Sequence, residues 1–343
     1  MRRTLIANLR CPATGEALHL EATRLDWDEV LEGRLAADSG RSYAIRDGIA
    51  SFVDATVLES QTVESFRQKW ATHDYYREHT HRFYTDWYLQ RYGFLDLAGL
   101  RAAMQGVRFA LDAGTGAGRD AINLADSSDA VVFAVDTAWD ALSNCRRRGQ
   151  SERVEFLHAD IHALPFPDGF LDFVNCDQVI HHTPDPRMAF EALSRKLRRG
   201  GDICCYVYRK KAAVREFTDD YVRDKIRALP VKEALKVCEP ITKLGRSLAS
   251  LKITVDVEED IPLLGIKKGP IDLQRFFHWN VLKCFWNDEF DFFTNNVVNF
   301  DWYHPENCHR FEPSEFRAWF AQGWEIQAWD VQEAGISCRA RKT

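Results

Sequence analysis

Three glycines on alternate positions, Gly114, Gly116 and Gly118, lie between two aspartates, Asp112 and Asp136. Those residue types at that spacing describe a nucleotide site. A glycine turn lets backbone N–H groups approach a ligand closely, and an acid about twenty residues further on accepts from ribose hydroxyls. Two details bear on which nucleotide it is. A dinucleotide site wants its third glycine where Arg119 stands, so that helix and strand pack closely; here it comes one place early, at Gly118, which disfavours a pyrophosphate. Asp112 sets a carboxylate where phosphate oxygens need N–H donors, so it repels a phosphate and suits an ammonium.

The residues around the loop read as the elements needed to hold it. A short apolar run (109–111) leads into Asp112. A helical pattern follows in Ala121, Ile122, Leu124 and Ala125, and a second apolar run (130–135) ends on Asp136. Strand, glycine turn, helix, strand and acid make one βαβ unit. S-adenosylmethionine fits such a site, because it has an ammonium, a sulfonium and an adenosine ribose but no phosphate. Asp112, Ala113, Gly114, Thr115, Gly116 and Gly118 are the expected loop contacts, with Asp136 and Thr137 beside the ribose.

An ordered set of motifs extends this reading. LDAGTGAG (111–118), AVD (134–136) and HADIHALPFPDGFLDFV (158–174) resemble the first, second, and third and fourth motifs of class I S-adenosylmethionine-dependent methyltransferases. The resemblance covers roughly 108–208 and resumes from 310. It implies an α/β, Rossmann-like seven-stranded sheet, six strands parallel and one antiparallel, closed by a hairpin over 324–331 and 336–341. It also implies that Asp160 accepts from the adenine amino group while Ile161 packs on the ring. In this family the helices before the first motif fold over the cofactor. Phe66 and Trp70 are then candidates for that cover, with Tyr75 and Tyr76 toward the substrate; the alternative is that the aromatic stripe of 60–95 is core.

Ligands of open α/β sheets sit at the carboxyl ends of strands, which puts Asp177 and Gln178 at the pocket border and Tyr206, Tyr208 and Arg209 near the acceptor. Two readings of His181–His182 stand, a structural or cofactor-flanking pair, or a general base at His182. Tyr206 and His304 join His182 as catalytic candidates, and Tyr303 and Arg310 join the substrate group. No metal is expected: Cys11 alone cannot build a four-ligand site, and His304, Cys308 and His309 match no standard spacing.

Composition sets outer bounds. In 343 residues, 45% are hydrophobic and 12% aromatic, ample for a core of about two domains or of one domain with large additions. A net charge of -6 offers no footprint for nucleic acid. The absence of a long apolar run or signal peptide predicts a soluble cytoplasmic protein, neither nucleic-acid- nor membrane-bound. Nine cysteines without a framework read as reduced thiols.

Five segments follow. Residues 1–56 form a small β-rich module resembling the zinc-ribbon-like units that precede some bacterial methyltransferases, here without metal. Residues 57–100 are the helical lid, 101–209 the cofactor half, 210–308 a helical, aromatic-rich insertion, and 309–343 the last helix and hairpin. Helices are predicted over 215–229, 232–251 and 271–290, with Pro230, Pro240 and Pro270 as breaks. The insertion reads as a substrate cap and a surface for a second copy of the chain. The resulting expectation is methyl transfer to a small-molecule acceptor. Its rivals are a non-methylating use of the same sulfonium (aminocarboxypropyl transfer or cyclisation) and a fold-only binding module.

Overall fold

A computed structural model describes residues 1–72, 78–148 and 152–343. The chain divides into two compact units. The first comprises Met1–Val207, Pro313–Val331 and Ile336–Thr343, and the second Tyr208–Glu312 with Gln332–Gly335. The strands in chain order are β1 (His19–Asp26), β2 (Glu29–Ala36), β3 (Ser42–Arg46), β4 (Ile49–Ser51), β5 (Phe109–Ala113), β6 (Val131–Asp136) and β7 (Val154–His158). They continue with β8 (Leu171–Cys176), β9 (Leu197–Arg209), β10 (Thr254–Val257), β11 (Gly269–Asp272), β12 (Arg310–Phe311), β13 (Trp324–Val331) and β14 (Gly335–Lys342).

The first unit is built on a sheet in the order β1-β2-β3-β4-β7-β6-β5-β8-β9-β14-β13. From β4 to β9 each neighbouring pair is parallel, and β13 with β14 is antiparallel. The central strands β7 and β8 are buried at every position, as a parallel sheet covered on both faces requires. The stretch β7-β6-β5-β8-β9-β14-β13 is part of a longer sheet than the sequence predicts. Ala50 pairs with Leu157 and Ser51 with His158, so the antiparallel run β1–β4 continues the sheet beyond β7. The N-terminal module is therefore part of the first unit rather than a unit of its own. The physical reason is the edge: without β4, β7 would present unpaired backbone groups.

The second unit holds the helices Ala213–Ile226, Val231–Ser250, Leu273–Asn280 and Phe292–Tyr303, with the hairpin of β10 and β11. Ile226, Val231, Ala234, Cys238, Phe300, Trp302 and Tyr303 form its core. Two sequence expectations differ here. Pro240 does not end a helix but lies inside Val231–Ser250. The aromatic run expected to be helical over 271–290 is helical only at Leu273–Asn280, and a further helix, Phe292–Tyr303, stands beyond it. The intervening backbone takes its partners from that helix: Phe285 N–H donates to Asn299 Oδ1 at 2.7 Å and Asn287 N–H to Asn295 Oδ1 at 2.7 Å. Side-chain amides from a neighbouring helix thus replace the ladder a continuous helix would have used.

All nine cysteines are free and buried. Among the described residues no helix is long and apolar enough to cross a membrane. Cys11 places its Sγ 3.1 Å from the Tyr43 hydroxyl.

Candidate functional site

β5 ends at Ala113, and the chain turns through Gly114 (φ 75°), Gly116 (φ 53°) and Gly118 (φ 86°) into the helix Arg119–Asp126. All three lie in the left-handed region that side chains resist. Space is equally restrictive. A Cβ at Gly114 would lie 2.4 Å from a Val179 methyl, and one at Gly116 would lie 2.7 Å from the Trp70 indole. The N–H groups of Gly114 and Thr115 both donate to the Val135 carbonyl, tying the loop to β6.

Two carboxylates flank this turn in different ways. Asp136, half-buried at the end of β6, accepts from the Gly116 N–H at 2.7 Å and the Ala138 N–H at 2.8 Å. Burial nevertheless leaves its carboxyl above the ordinary range. Asp112 is only 3% exposed. Its oxygens accept from Thr115 Oγ1 at 2.6 Å and Asn175 Nδ2 at 2.8 Å, so it braces the loop from beneath and fastens β5 to β8. Burial, reinforced by the Asp120 charge, pushes its carboxyl up to about 7. The sign of the consequence is fixed. The folded protein keeps a proton on Asp112 that the unfolded chain releases near pH 4, so this group's contribution to stability falls as pH rises from about 4 to about 7. In Asp112→Asn, the fall in thermal midpoint across that interval is expected to be shallower than in the parent; parallel curves would refute the assignment.

Further along the carboxyl ends, Asp160 Oδ1 accepts from the His162 N–H and pairs with His162 Nδ1 at 2.8 Å. Although burial opposes it, this bonding holds the carboxyl below its usual value. Ile161 beside it is buried. The Thr137 carbonyl accepts from His158 Nε2, whose Nδ1 faces the Ser51 hydroxyl at 2.8 Å. Because a carbonyl only accepts, the ring proton sits on Nε2 and Ser51 donates.

Asp177 is spent on structure. It is paired with Arg91, both side chains being essentially inaccessible, and it accepts from the Tyr92 hydroxyl at 2.9 Å. Arg91 is stacked 3.7 Å from the Trp87 ring centroid and 4.9 Å from that of Tyr206. Gln178 donates to Asp177 at 3.2 Å and holds the rare left-handed φ of 59°. Tyr206 is buried against Trp87 and His181, and burial raises its phenol well above the usual range, which suits a fixed hydroxyl better than a proton acceptor.

From the helix Gln61–Thr72, Phe66 meets the buried His182 ring edge-on at 4.9 Å, and His181 lies 4.4 Å from His182. Lys69, buried, stands 4.3 Å over the Trp70 ring, and its charge favours the ionised form of Asp136. Tyr75 and Tyr76 lie outside the described residues. The other candidates belong to the second unit. Tyr208 packs on Trp302 at 4.7 Å, Arg209 donates to the Gln332 carbonyl, and Arg310 is paired with Glu216 and Asp220. Tyr303 is fully buried and donates to Asp219 and the Lys283 carbonyl. His304 is buried, stacked on Phe300, with Nε2 on the Leu229 carbonyl. Packing accounts for both.

Sequence reasoning missed Arg91, Lys69 and Asn175. Arg91 follows Trp87 by one helical turn, a spacing that could have flagged a stacked cation; nothing local marks Asn175.

Residues 111–205 match the family described as Methyltransferase domain. An uncharacterized 37.1 kDa protein of a Streptomyces fradiae transposon is 38% identical over 97 residues, 27% of this chain and 28% of that protein. The 27-O-demethylrifamycin SV methyltransferase of Amycolatopsis mediterranei is 33% identical over 111 residues, 31% of this chain and 40% of that one. This chain thus spans less than half the length of these curated relatives. Among solved structures, the complex of the Haloferax volcanii Trm112 methyltransferase activator with a methyltransferase aligns at 14% identity and a TM-score of 0.41, covering 81% of this chain and 97% of that one. What residues 111–205 share with known proteins is thus a methyltransferase domain.

Proposed function

We propose that the protein transfers the methyl group of S-adenosylmethionine to a small-molecule acceptor. One observation carries the reading: the glycine cradle between Asp112 and Asp136 opens at the carboxyl ends of β5 and β6, inside the segment that matches the methyltransferase domain. The cradle fits the cofactor on its own terms. The space a Cβ would need at Gly114 or Gly116 is taken by Val179 and Trp70, so only glycine fits the turn, and Asp136 at its edge is a carboxylate, suited to ribose hydroxyls rather than to phosphate. Domain-level kinship with a methyltransferase of the rifamycin series supports a small acceptor.

When bound, the cofactor supplies a methyl group on a sulfonium with a neutral thioether as leaving group. The chain's own residues then bind, align and exclude water. Asp136 holds the ribose hydroxyls through the lone pairs its two backbone bonds leave free, Asp160 and Ile161 hold the adenine, and Asp112 keeps Thr115 and the loop in place. Phe66 and Trp70 cover the site, and aromatic faces near a sulfonium add cation–π attraction of roughly 0.5–2 kcal/mol. A base is required only for an acceptor that arrives protonated; His182, beside Phe66, is the candidate. Tyr206 positions by its hydroxyl. Tyr208, Arg209 and Arg310 are read as acceptor-binding residues, and residues 1–56 as a metal-free zinc-ribbon-like extension of the sheet.

Mass spectrometry of the spent cofactor tests the reaction. S-adenosylhomocysteine is expected; methylthioadenosine would instead establish transfer or cyclisation of the other arm, and neither product with any acceptor would sink the reading. The cradle makes its own prediction. Gly116→Ala forces a side chain into the left-handed region, about 1–2 kcal/mol, and into the Trp70 indole, so calorimetry should show S-adenosylmethionine affinity reduced roughly tenfold or more. The double variant Gly116→Ala/Trp70→Ala should recover the part due to the clash and not the part due to the backbone.

A further inference from the structure

The helical unit buries more positive charge than its hydrogen bonds use. Around the Trp302 indole stand the Lys283 ammonium, the Arg215 guanidinium and the Lys211 ammonium, at 4.9, 5.1 and 5.6 Å from the ring centroid. The fully buried carboxylate among them is Asp219, and four donors already occupy it. Arg215 Nε lies at 3.0 Å, Trp302 Nε1 at 2.7 Å, the Tyr303 hydroxyl at 3.1 Å and the Lys283 backbone N–H at 3.0 Å. Arg215 spends a second donor on the His278 carbonyl, and Lys211 donates to the Glu333 and Ala334 carbonyls. Glu216 is taken by the Lys211 backbone N–H and by Arg310.

Lys283 is what remains. It is 8% exposed, and its ammonium donates no hydrogen bond to any described residue; Asp219 and Asp301 act on it only through space. His278, 2% exposed, has no hydrogen-bond partner for Nδ1 among the described residues. The charges that act on its ring are cations: Arg215, Lys283, Arg275 and Lys211. Cations gathered around one indole repel one another, and replacing such a charge by an apolar side chain often stabilises a fold. Keeping it is the pattern of a binding site that gives up stability for function.

We propose that this cluster binds an anionic group, a carboxylate or a phosphate, with Lys283 and His278 as its donors and the Trp302 indole as its floor. The anion supplies the acceptor that Lys283 lacks and offsets the mutual repulsion of Lys211, Arg215 and Lys283. Burial and the Arg215 charge hold the Lys283 ammonium down at about 8 without it, and a bound anion favours the charged form further. That the anion is a group of the methyl acceptor rests on the proposed function; that an anion binds here does not.

The test is calorimetry on the full chain at pH 7, titrating inorganic phosphate and, separately, acetate at constant ionic strength in chloride. At least one should bind with a dissociation constant of about 1 mM or tighter, phosphate alone marking a phosphorylated ligand and acetate alone a carboxylate. Lys283→Met should weaken that binding at least tenfold, leave S-adenosylmethionine affinity as it was, and raise the thermal midpoint in anion-free buffer by about 2–4 °C. Lys211→Met, at a half-buried site, should weaken it in the same direction and serves if the first variant does not fold. No heat from either anion, or equal binding by parent and variants, overturns the proposal. Because the cofactor is titrated separately, a chain that binds phosphate but shows no methyl transfer would sink the proposed function and not the anion site.

Discussion

Replacing Arg91 with alanine is expected to lower stability by about 3–5 kcal/mol, a fall in thermal midpoint on the order of 10 °C. The reason is the carboxylate left behind. Asp177 is 1% accessible in its side chain, and the Tyr92 hydroxyl and Gln178 amide are neutral donors that cannot replace a guanidinium. Removing one partner of a buried pair leaves Asp177 only the more distant Arg119, at 3.6 Å, as its counter-ion. Stacking is lost as well, because Arg91 lies between Trp87 and Tyr206. The double variant Arg91→Met/Asp177→Asn separates these terms. It should recover much of the loss, since a neutral pair of similar volume no longer buries a charge. If Arg91→Ala melts with the parent, the pair is not the brace that the geometry describes.

Asp136→Ala should reduce S-adenosylmethionine affinity by about a hundredfold or more. Each hydrogen bond from a neutral donor to a charged group is worth about 1.5–3 kcal/mol, and a ribose offers two hydroxyls. The same substitution also frees the Gly116 and Ala138 N–H groups, so part of the loss would come from a loosened loop. Asp136→Asn keeps one acceptor and should fall between parent and alanine variant. Calorimetry with S-adenosylmethionine and with S-adenosylhomocysteine should show similar losses, since both carry the ribose. Unchanged affinity in Asp136→Ala would place the ribose elsewhere and with it the whole cradle reading.

What these residues owe to the sequence and what to the fold can be argued one by one. The glycine turn was legible because its requirements are local: alternate glycines after an apolar run are demanded by φ values of 53° to 86° within five residues. The closing hairpin at β13 and β14 was legible for the same reason, period-two runs joined at a glycine. The long aromatic run was not. Its composition allows a buried helix over its whole length, and what interrupts it is a pair of asparagine side chains presented by another helix.

The sequence by itself therefore determined the βαβ unit, the cradle and the acids that flank it, because strand, turn and helix signals act between neighbours in the chain. Only the tertiary structure decided that β4 completes the edge of β7, that Arg91 serves Asp177 across 86 residues, that Asp112 faces Asn175 across 63, and that four cations converge on Trp302. Burial does that work: it removes water as the default partner, so each charge must be answered by whatever side chain the fold brings within a few ångströms.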